Sequence, residues 1–393
     1  MVNETIFRKD VQKFIRKNLK IDLSLLILKG SPFPEVSIQE LATQVQGLKI
    51  SEKKFPLFFY TENILFPPKL NLEQASSELT ALYKASLIEG NMGIDLTGGL
   101  GIDSYFISKK FESFIYCELN ADLAKIASHN FNSLNAVNIR VEKEDALQVL
   151  FQSKDKFDWV YADPARRNAT GGKVFKLEDC EPNLVNNLAA IFKKTDKLLV
   201  KTSPLLDLQA GLKELKHVKE IHVVAIKNEV KELLWILEKG WQREPKIITI
   251  NMEKNGEQKF KGTTGQNLIT PELAPPQNYL YEPNSAILKS GLFNLISQKT
   301  GTKKLHQHSH LFTSENLKIF PGRSFQIIDI KEYKPSELKL LLKNKKANIT
   351  TRNFPDSVEN IRKKFRIKDG GKDYIFFTTD LHNKLIVIFC EKV

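Results

Sequence analysis

Between Met92 and Met252 the chain repeats one rhythm, a short apolar run and then a segment of helical period. The runs "MGIDL", "SFIYCEL", "NIRVEKED", "FDWVYAD", "KLLVKTS", "EIHVVAI" and "KIITINM" read as strands. The segments "GIDSYFISKKF", "NADLAKIASHNFNSL", "ALQVLFQ", "EPNLVNNLAAIFKK" and "LLDLQAGLKEL" read as helices between them. The apolar run in "EVKELLWILEKG" is too short to choose between helix and strand. Strands alternating with helices imply a parallel sheet with right-handed crossovers, covered on both faces. The expected fold class is therefore α/β, with a doubly wound sheet over residues 89–255.

The flanks have a different texture. Residues 1–88 look helical: "DVQKFIRKNL" has a helical period, and Ser37 with Glu40 forms a capping-box pattern. After the prolines of "FPPKLN", the stretch "LEQASSELTALYKASLI" reads as one helix over 72–88. Residues 256–278 lack periodicity and read as a connector. In residues 279–320, "SAILKSGLFNLISQKTG" predicts a helix ending at Gly301. From 321 to 393 strands and helices alternate in an α+β pattern that closes on a hairpin, "DYIFFTTD" and "KLIVIFC".

The formal net charge of +13 favours an anionic partner, nucleic acid before a membrane surface. Residues 301–393 hold nineteen Lys and Arg against ten Asp and Glu, so much of the excess sits in one terminal module. The three cysteines, Cys117, Cys180 and Cys390, are odd in number and far apart, which argues against a disulfide frame or a zinc knuckle. A charged N-terminus and the lack of any long apolar run point to a reduced cytoplasmic protein without a membrane span.

The loop after the first strand, "DLTGGLGIDS", carries Asp95, Thr97, Gly98, Gly99 and Gly101. Glycines there let backbone approach a ligand at a helix start. Glu118, at the end of the second strand, follows Gly101 by 17 residues, a spacing suited to ribose hydroxyls. These features serve either NAD(P) or S-adenosylmethionine. Asp95 at the end of the first strand, Glu144-Asp145 at the end of the third and Asp163-Pro164 at the end of the fourth favour the second. Four acids on successive strand ends resemble the motifs of the class I S-adenosylmethionine-dependent methyltransferases, with their Rossmann-like core. That resemblance implies cofactor binding through Asp95, Thr97, Gly99, Gly101, Glu118 and Asp145. Thr97 departs from it, standing where the pattern has its first glycine.

"YADPARRN", "KVFKLEDCEPNL", "QASSELTALYKASL", "LYEPNSAILKSGLFN" and the tail around "ANITTRNFPDSVENIRKKFRIKDGGKDYIFFTT" resemble a bacterial family of such methyltransferases. Its members carry a small ferredoxin-like segment, here 279–320, and a C-terminal THUMP-like domain, here 321–393. The resemblance implies an enzyme acting on RNA, since THUMP domains proper bind RNA.

The residues after Asp163 narrow the chemistry. Ala165 and Arg166 replace the second proline of the amino-group methylation pattern and the aromatic that stacks a flipped base there. No cysteine ends the fifth strand to act as a nucleophile on a pyrimidine carbon. Direct transfer to a nitrogen or an oxygen remains, with Asp163, Pro164 and Arg166 at the acceptor. Arg166 and Arg167 suit a phosphate or a base plane, or else pair with Glu178 and Asp179, and "ARRNATGGKV" has the glycines of a lid. Arg352, Arg362, Lys363, Lys364 and Arg366 supply candidate RNA contacts, with Phe354 as a stacking ring. His306, His308 and His310 would share one face of a strand, but nothing beside them completes a metal site, so no metal is expected. The alternatives are methylation of DNA, protein or a small molecule, an RNA-binding protein with an inactive methyltransferase fold, and a dinucleotide oxidoreductase.

Overall fold

The computed structural model describes residues 3–166, 176–268 and 270–393. The chain forms two compact units, residues 1–218 with 235–241, and residues 219–234 with 242–393.

The first unit begins with helices, among them Lys9–Lys17, Leu23–Lys29 and Ile38–Lys54. The capping box is present: Ser37 Oγ accepts from the Glu40 amide at 3.2 Å, and Glu40 Oε2 accepts from the Ser37 amide at 2.8 Å. The stretch expected as one helix over 72–88 is two, Lys69–Gln74 and Glu78–Ala85. Ser77 causes the break, because its hydroxyl caps the second helix from an extended backbone (φ −74°, ψ 157°).

The sheet of this unit contains β1 (Gly90–Asp95), β2 (Phe111–Cys117), β3 (Ile139–Glu142) and β4 (Trp159–Ala162). Two short strands follow, β5 (Ala165–Arg166) and β6 (Cys180–Glu181), paired antiparallel, and then β7 (Lys197–Thr202). The sheet order β7-β4-β1-β2-β3 is parallel throughout. Ile94, Ile115, Val160 and Leu199 lie within 2% of full burial. Each such side chain contributes about 1.5–3 kcal/mol of apolar burial, so the sheet centre is stiff. The strand order reverses between β1 and β4, and ligands in such sheets bind beyond the C-terminal strand ends at that reversal.

The chain passes between the units within β8 (Val218–Ile226) and β9 (Glu229–Glu238). "EVKELLWILEKG" is thus a strand, entered by a two-residue turn in which Lys227 and Asn228 both take positive φ. β10 (Lys246–Glu253) pairs parallel with β8 and antiparallel with β11 (Gly256–Thr263). The expected connector therefore begins with a strand, which the sequence obscured because β11 buries only Phe260 and Gly262.

The rest of the second unit is an eight-stranded sheet. It comprises β12 (Tyr279–Pro283), β13 (Lys303–Lys304), β14 (Phe312–Ser314), β15 (Gly322–Glu332), β16 (Lys346–Arg352), β17 (Lys368–Asp369), β18 (Asp373–Thr379) and β19 (Leu385–Lys392). Their order is β13-β14-β12-β15-β19-β18-β16-β17. β18 and β19 form the expected antiparallel pair. Helices Pro335–Leu342 and Val358–Phe365 lay Leu338, Leu342, Ile361 and Phe365 against Phe377 and Val387 of the sheet. The single helix expected to end at Gly301 is two, Ser285–Ser290 and Phe293–Thr300, separated at Gly291 with φ 74°.

Candidate active site

Asp95 ends β1 at the strand-order reversal and is 1% exposed. Its Oδ1 accepts from the Thr97 amide at 2.8 Å and the Thr97 hydroxyl at 3.1 Å, and Oδ2 accepts from Ser104 Oγ. Burial pushes the carboxyl up to about 7, against the pull of those hydrogen bonds. The loop thus folds around Asp95.

Thr97 explains its own departure from the glycine pattern. Its hydroxyl donates to Asp95 and accepts from the Asp163 amide at 2.7 Å, tying the end of β1 to the end of β4. Thr97→Val keeps the shape but strands the Asp163 N–H and one Asp95 lone pair. The expected loss is about 1–3 kcal/mol of unfolding free energy. Urea melts would measure it, and an unchanged midpoint would remove the hydroxyl from the scaffold.

Two glycines shape the loop, and their positive φ values disfavour a side chain. Gly101 has φ 81°, and a Cβ there would meet the Phe131 ring at 2.6 Å. Gly99 has φ 56°, and its nearest neighbour across the place of a Cβ is the Thr97 carbonyl at 3.8 Å, so bare backbone faces open space. Glu118 sits beside it: Oε2 accepts from the Gly99 amide at 2.8 Å and Oε1 from the Asn120 amide at 2.7 Å. Tyr116 donates to the Gly99 carbonyl at 2.5 Å. Each Glu118 oxygen keeps a lone pair for a hydroxyl donor. A cradle without side chains beside an anchored carboxylate fits an adenosyl group. Asp145 is exposed and caps helix Ala146–Gln152, its Oδ1 accepting from the Gln148 amide at 2.9 Å.

The surroundings of Asp163 could not be foreseen from its neighbours in the chain. Its side chain is 34% exposed, and its Oδ2 is ion-paired with the ammonium of Lys201 from β7, 14% exposed. Behind them lies Asp103, from helix Ile102–Ser108. Asp103 Oδ2 accepts from the Tyr161 hydroxyl and from Ser76 Oγ, each at 2.7 Å, and Oδ1 lies 3.2 Å from the ammonium of Lys84, a side chain with no exposure. Burial alone would raise the Asp103 carboxyl; Lys84 and then Lys201 outweigh it and hold the carboxyl below the usual range.

Lys84, Asp103, Tyr161 and Lys201 were not among the sequence candidates. Lys84 had a signal: with Thr80, Ala81 and Ala85 it occupies the buried face of helix Glu78–Ala85, an unusual place for a lysine. Lys201 likewise interrupts the end of an apolar strand.

Pro164 follows Asp163 and is buried. The Arg166 backbone pairs with Cys180. The Arg166 side chain and residues 167–175, and with them the arginine contacts and the lid, lie outside the described residues. All three cysteines are buried, and burial raises the thiols of Cys117 and Cys390 far above their ordinary range.

In the second unit four of the five basic candidates, Arg352, Arg362, Lys363 and Lys364, have partners. Arg352 donates Nε and Nη2 to Oε1 of buried Glu282, at 3.1 and 2.8 Å. Phe354, expected as a stacking ring, instead packs edge-on to Tyr333 at 4.9 Å and against Phe377, because it completes the core under the sheet. Arg362 donates to the Ala347 carbonyl and pairs with Asp369 at 2.5 Å. Lys363 pairs with Glu359 at 2.8 Å, and Lys364 meets the Tyr333 hydroxyl at 2.8 Å and Asp356 at 3.6 Å. Arg366 is exposed and ends its helix with φ 56°. The Lys363–Glu359 and Lys364–Asp356 pairs are exposed and worth roughly 0–1 kcal/mol each.

The three histidines lie in a bend and turn, not on a strand, with the His306 and His308 ring centroids 5.5 Å apart. His306 is buried, its Nδ1 within 2.9 Å of Asn353 and its Nε2 within 3.1 Å of Asn383. His310 stacks on Phe293 at 3.6 Å, and burial lowers it to about 4. Among the described residues no group of three or more His, Cys, Asp or Glu is placed to hold a metal ion, and no helix is long and apolar enough to cross a membrane.

Comparison with known proteins places these features in context. Residues 279–321 match the family of a ferredoxin-like domain, and residues 322–392 match the THUMP domain-like family. A crystal structure from Porphyromonas gingivalis W83, assigned as a methyltransferase, superposes with a TM-score of 0.88 at 30% identity. The match covers 100% of this chain and 99% of that one. An uncharacterized RNA methyltransferase of Mycoplasma mobile is 30% identical over 158 residues, which are 39% of this chain. This chain spans 42% of that relative's length.

Proposed function

Because the chain belongs to the S-adenosylmethionine-dependent methyltransferase family with a C-terminal THUMP-like domain, we propose that it methylates RNA by direct transfer, without a cysteine nucleophile. Residues 89–255 carry the transfer and residues 279–393 dock the RNA. The observation that carries this reading is the Thr97 hydroxyl, which joins the glycine loop to the backbone of Asp163 and so couples a cofactor cradle to an acceptor carboxylate.

The Gly99 and Gly101 backbone and the Glu118 carboxylate would hold the adenosyl part of S-adenosylmethionine, with Asp95 and Thr97 keeping the loop in shape and Asp145 at the rim. Bound there, the cofactor supplies an electrophilic methyl group on a sulfonium. Asp163 receives the acceptor and Pro164 stiffens the strand end behind it. The burial of all three thiols supports a route without covalent attachment to a base. The RNA part draws support from the name of the Mycoplasma mobile relative, the THUMP-like match and the positive charge of the C-terminal residues.

Tritiated methyl groups should enter total RNA from a strain lacking the gene, and not its DNA, protein or small-molecule fractions. Label in another fraction moves the acceptor; no label, with RNA still bound, leaves a binding protein with an inactive core. Calorimetry adds the cofactor arm, and binding of NAD(P)H alone would sink the methyltransferase reading. Replacing Lys363 and Arg366 together by alanine should reduce the slope of log affinity against log salt by about 1–2. An unchanged slope would take this helix end out of the RNA interface.

A further inference from the structure

We infer that the methyl acceptor is a hydroxyl oxygen, the ribose 2′-hydroxyl of an RNA nucleotide, activated by Asp163 and Lys201 together. The inference rests on the RNA methyl-transfer reading above and names its acceptor atom.

The charges around the acceptor position carry it. A carboxylate one-third exposed offers its open side to the entering group, and an ammonium is ion-paired to that same carboxylate. An amine acceptor gains positive charge as it is methylated, and an adjacent ammonium opposes that change. It also needs lone pairs to receive its N–H groups, and an ammonium has none. A hydroxyl has the opposite need. It sheds one proton, which a carboxylate can take, and its oxygen gains negative character, which a nearby ammonium stabilises.

The buried residues behind the pair keep the ammonium in place. Lys201 acts electrostatically on Asp103 as well as pairing with Asp163, so it serves two carboxylates. Asp103 is itself held by Tyr161, Ser76 and the wholly buried Lys84. Lys84 and Asp103 are therefore positioning residues, while Asp163 and Lys201 touch the acceptor. Within an RNA strand the 3′ and 5′ oxygens are esterified, which leaves the 2′-hydroxyl as the free one. In the step, the hydroxyl oxygen forms its bond to the methyl carbon as the carbon–sulfur bond breaks. The bonding pair stays on sulfur and neutralises the sulfonium, and Asp163 takes the hydroxyl proton and later releases it to solvent.

Alkaline hydrolysis reads this directly, because a 2′-O-methyl group blocks strand cleavage at its own nucleotide. RNA labelled with tritiated methyl groups, taken from the strain lacking the gene, should release the label as alkali-resistant dinucleotides. Label in mononucleotides would place the methyl on a base and overturn the inference, leaving the RNA methyltransferase reading intact. No label in RNA would remove both. Lys201→Met should lower transfer roughly 10²- to 10³-fold. Affinity for S-adenosylmethionine and salt-dependent RNA binding, both measured without turnover, should stay within about threefold. Collapse of either affinity would make Lys201 a structural residue and overturn its role. Lys201→Arg, which keeps the charge, should recover part of the rate, and equal loss in both variants would count against the oxygen-stabilising role.

Discussion

Asp163→Asn should lower methyl transfer by roughly 10²- to 10⁴-fold, the range of a lost proton acceptor, while S-adenosylmethionine affinity should stay nearly unchanged. The separation follows from which atoms do what. The contact that ties Asp163 to the cofactor loop runs through its backbone N–H to Thr97 Oγ, and asparagine preserves it. What the substitution removes is the charge on the side chain, and with it the ion pair to Lys201 and the capacity to take a proton. The cradle at Gly99 and Glu118 is built from other strands and keeps its shape. Single-turnover transfer beside calorimetric cofactor binding would test this. An unaffected rate would remove Asp163 from the mechanism, and a parallel fall in cofactor affinity would make it a scaffold residue.

Glu282→Ala should destabilise the second unit by about 2–4 kcal/mol, a little less than the 3–5 kcal/mol usual for breaking a fully buried pair. Glu282 is 3% exposed and stands opposite Arg323 in the β12–β15 ladder. Arg323 donates to its Oε2, and Arg352, from β16, donates to its Oε1. Removing the carboxylate leaves two guanidinium groups without their shared anion. Each is about one-third exposed and can partly rehydrate, which is the reason for the discount. Trp159, Trp235 and Trp241 all belong to the first unit, so scanning calorimetry is a better probe than tryptophan fluorescence. A transition that does not move would show that the triad adds no net stability.

The residues of the site divide by how local their signals are. Asp95, Glu118 and Asp163 could be singled out because each lies at or just after the end of a strand, and Gly99 and Gly101 because they lie in the loop after β1; such positions can be read from runs of a few residues. The elements that broke expectation did so for short-range reasons that periodicity averages away. Ser77 splits a helix by offering its own hydroxyl to the backbone, Gly291 splits another through a positive φ, and β11 hides because Phe260 is its one buried side chain. Arg352 and Phe354 looked like an RNA-binding pair because both types are common in such surfaces; in the fold Arg352 also pairs with Glu282, and Phe354 packs against Tyr333 and Phe377.

The alternation of apolar runs and helical segments determined by itself that this chain would build a parallel sheet, and so that its acidic strand ends would gather at one edge. Periodicity is a local property, and parallel pairing leaves few ways to connect such units. Only the tertiary structure decided what meets Asp163. Lys201 lies 38 residues further along the chain, and Asp103 lies 58 residues before its partner Tyr161. Lys84 precedes β1 altogether. Charges separated by that much chain come together only when strand order sets β7 beside β4, and helix packing brings Asp103 to Lys84. The ion pair depends on that meeting, because a carboxylate and an ammonium act on each other strongly only across a few ångströms.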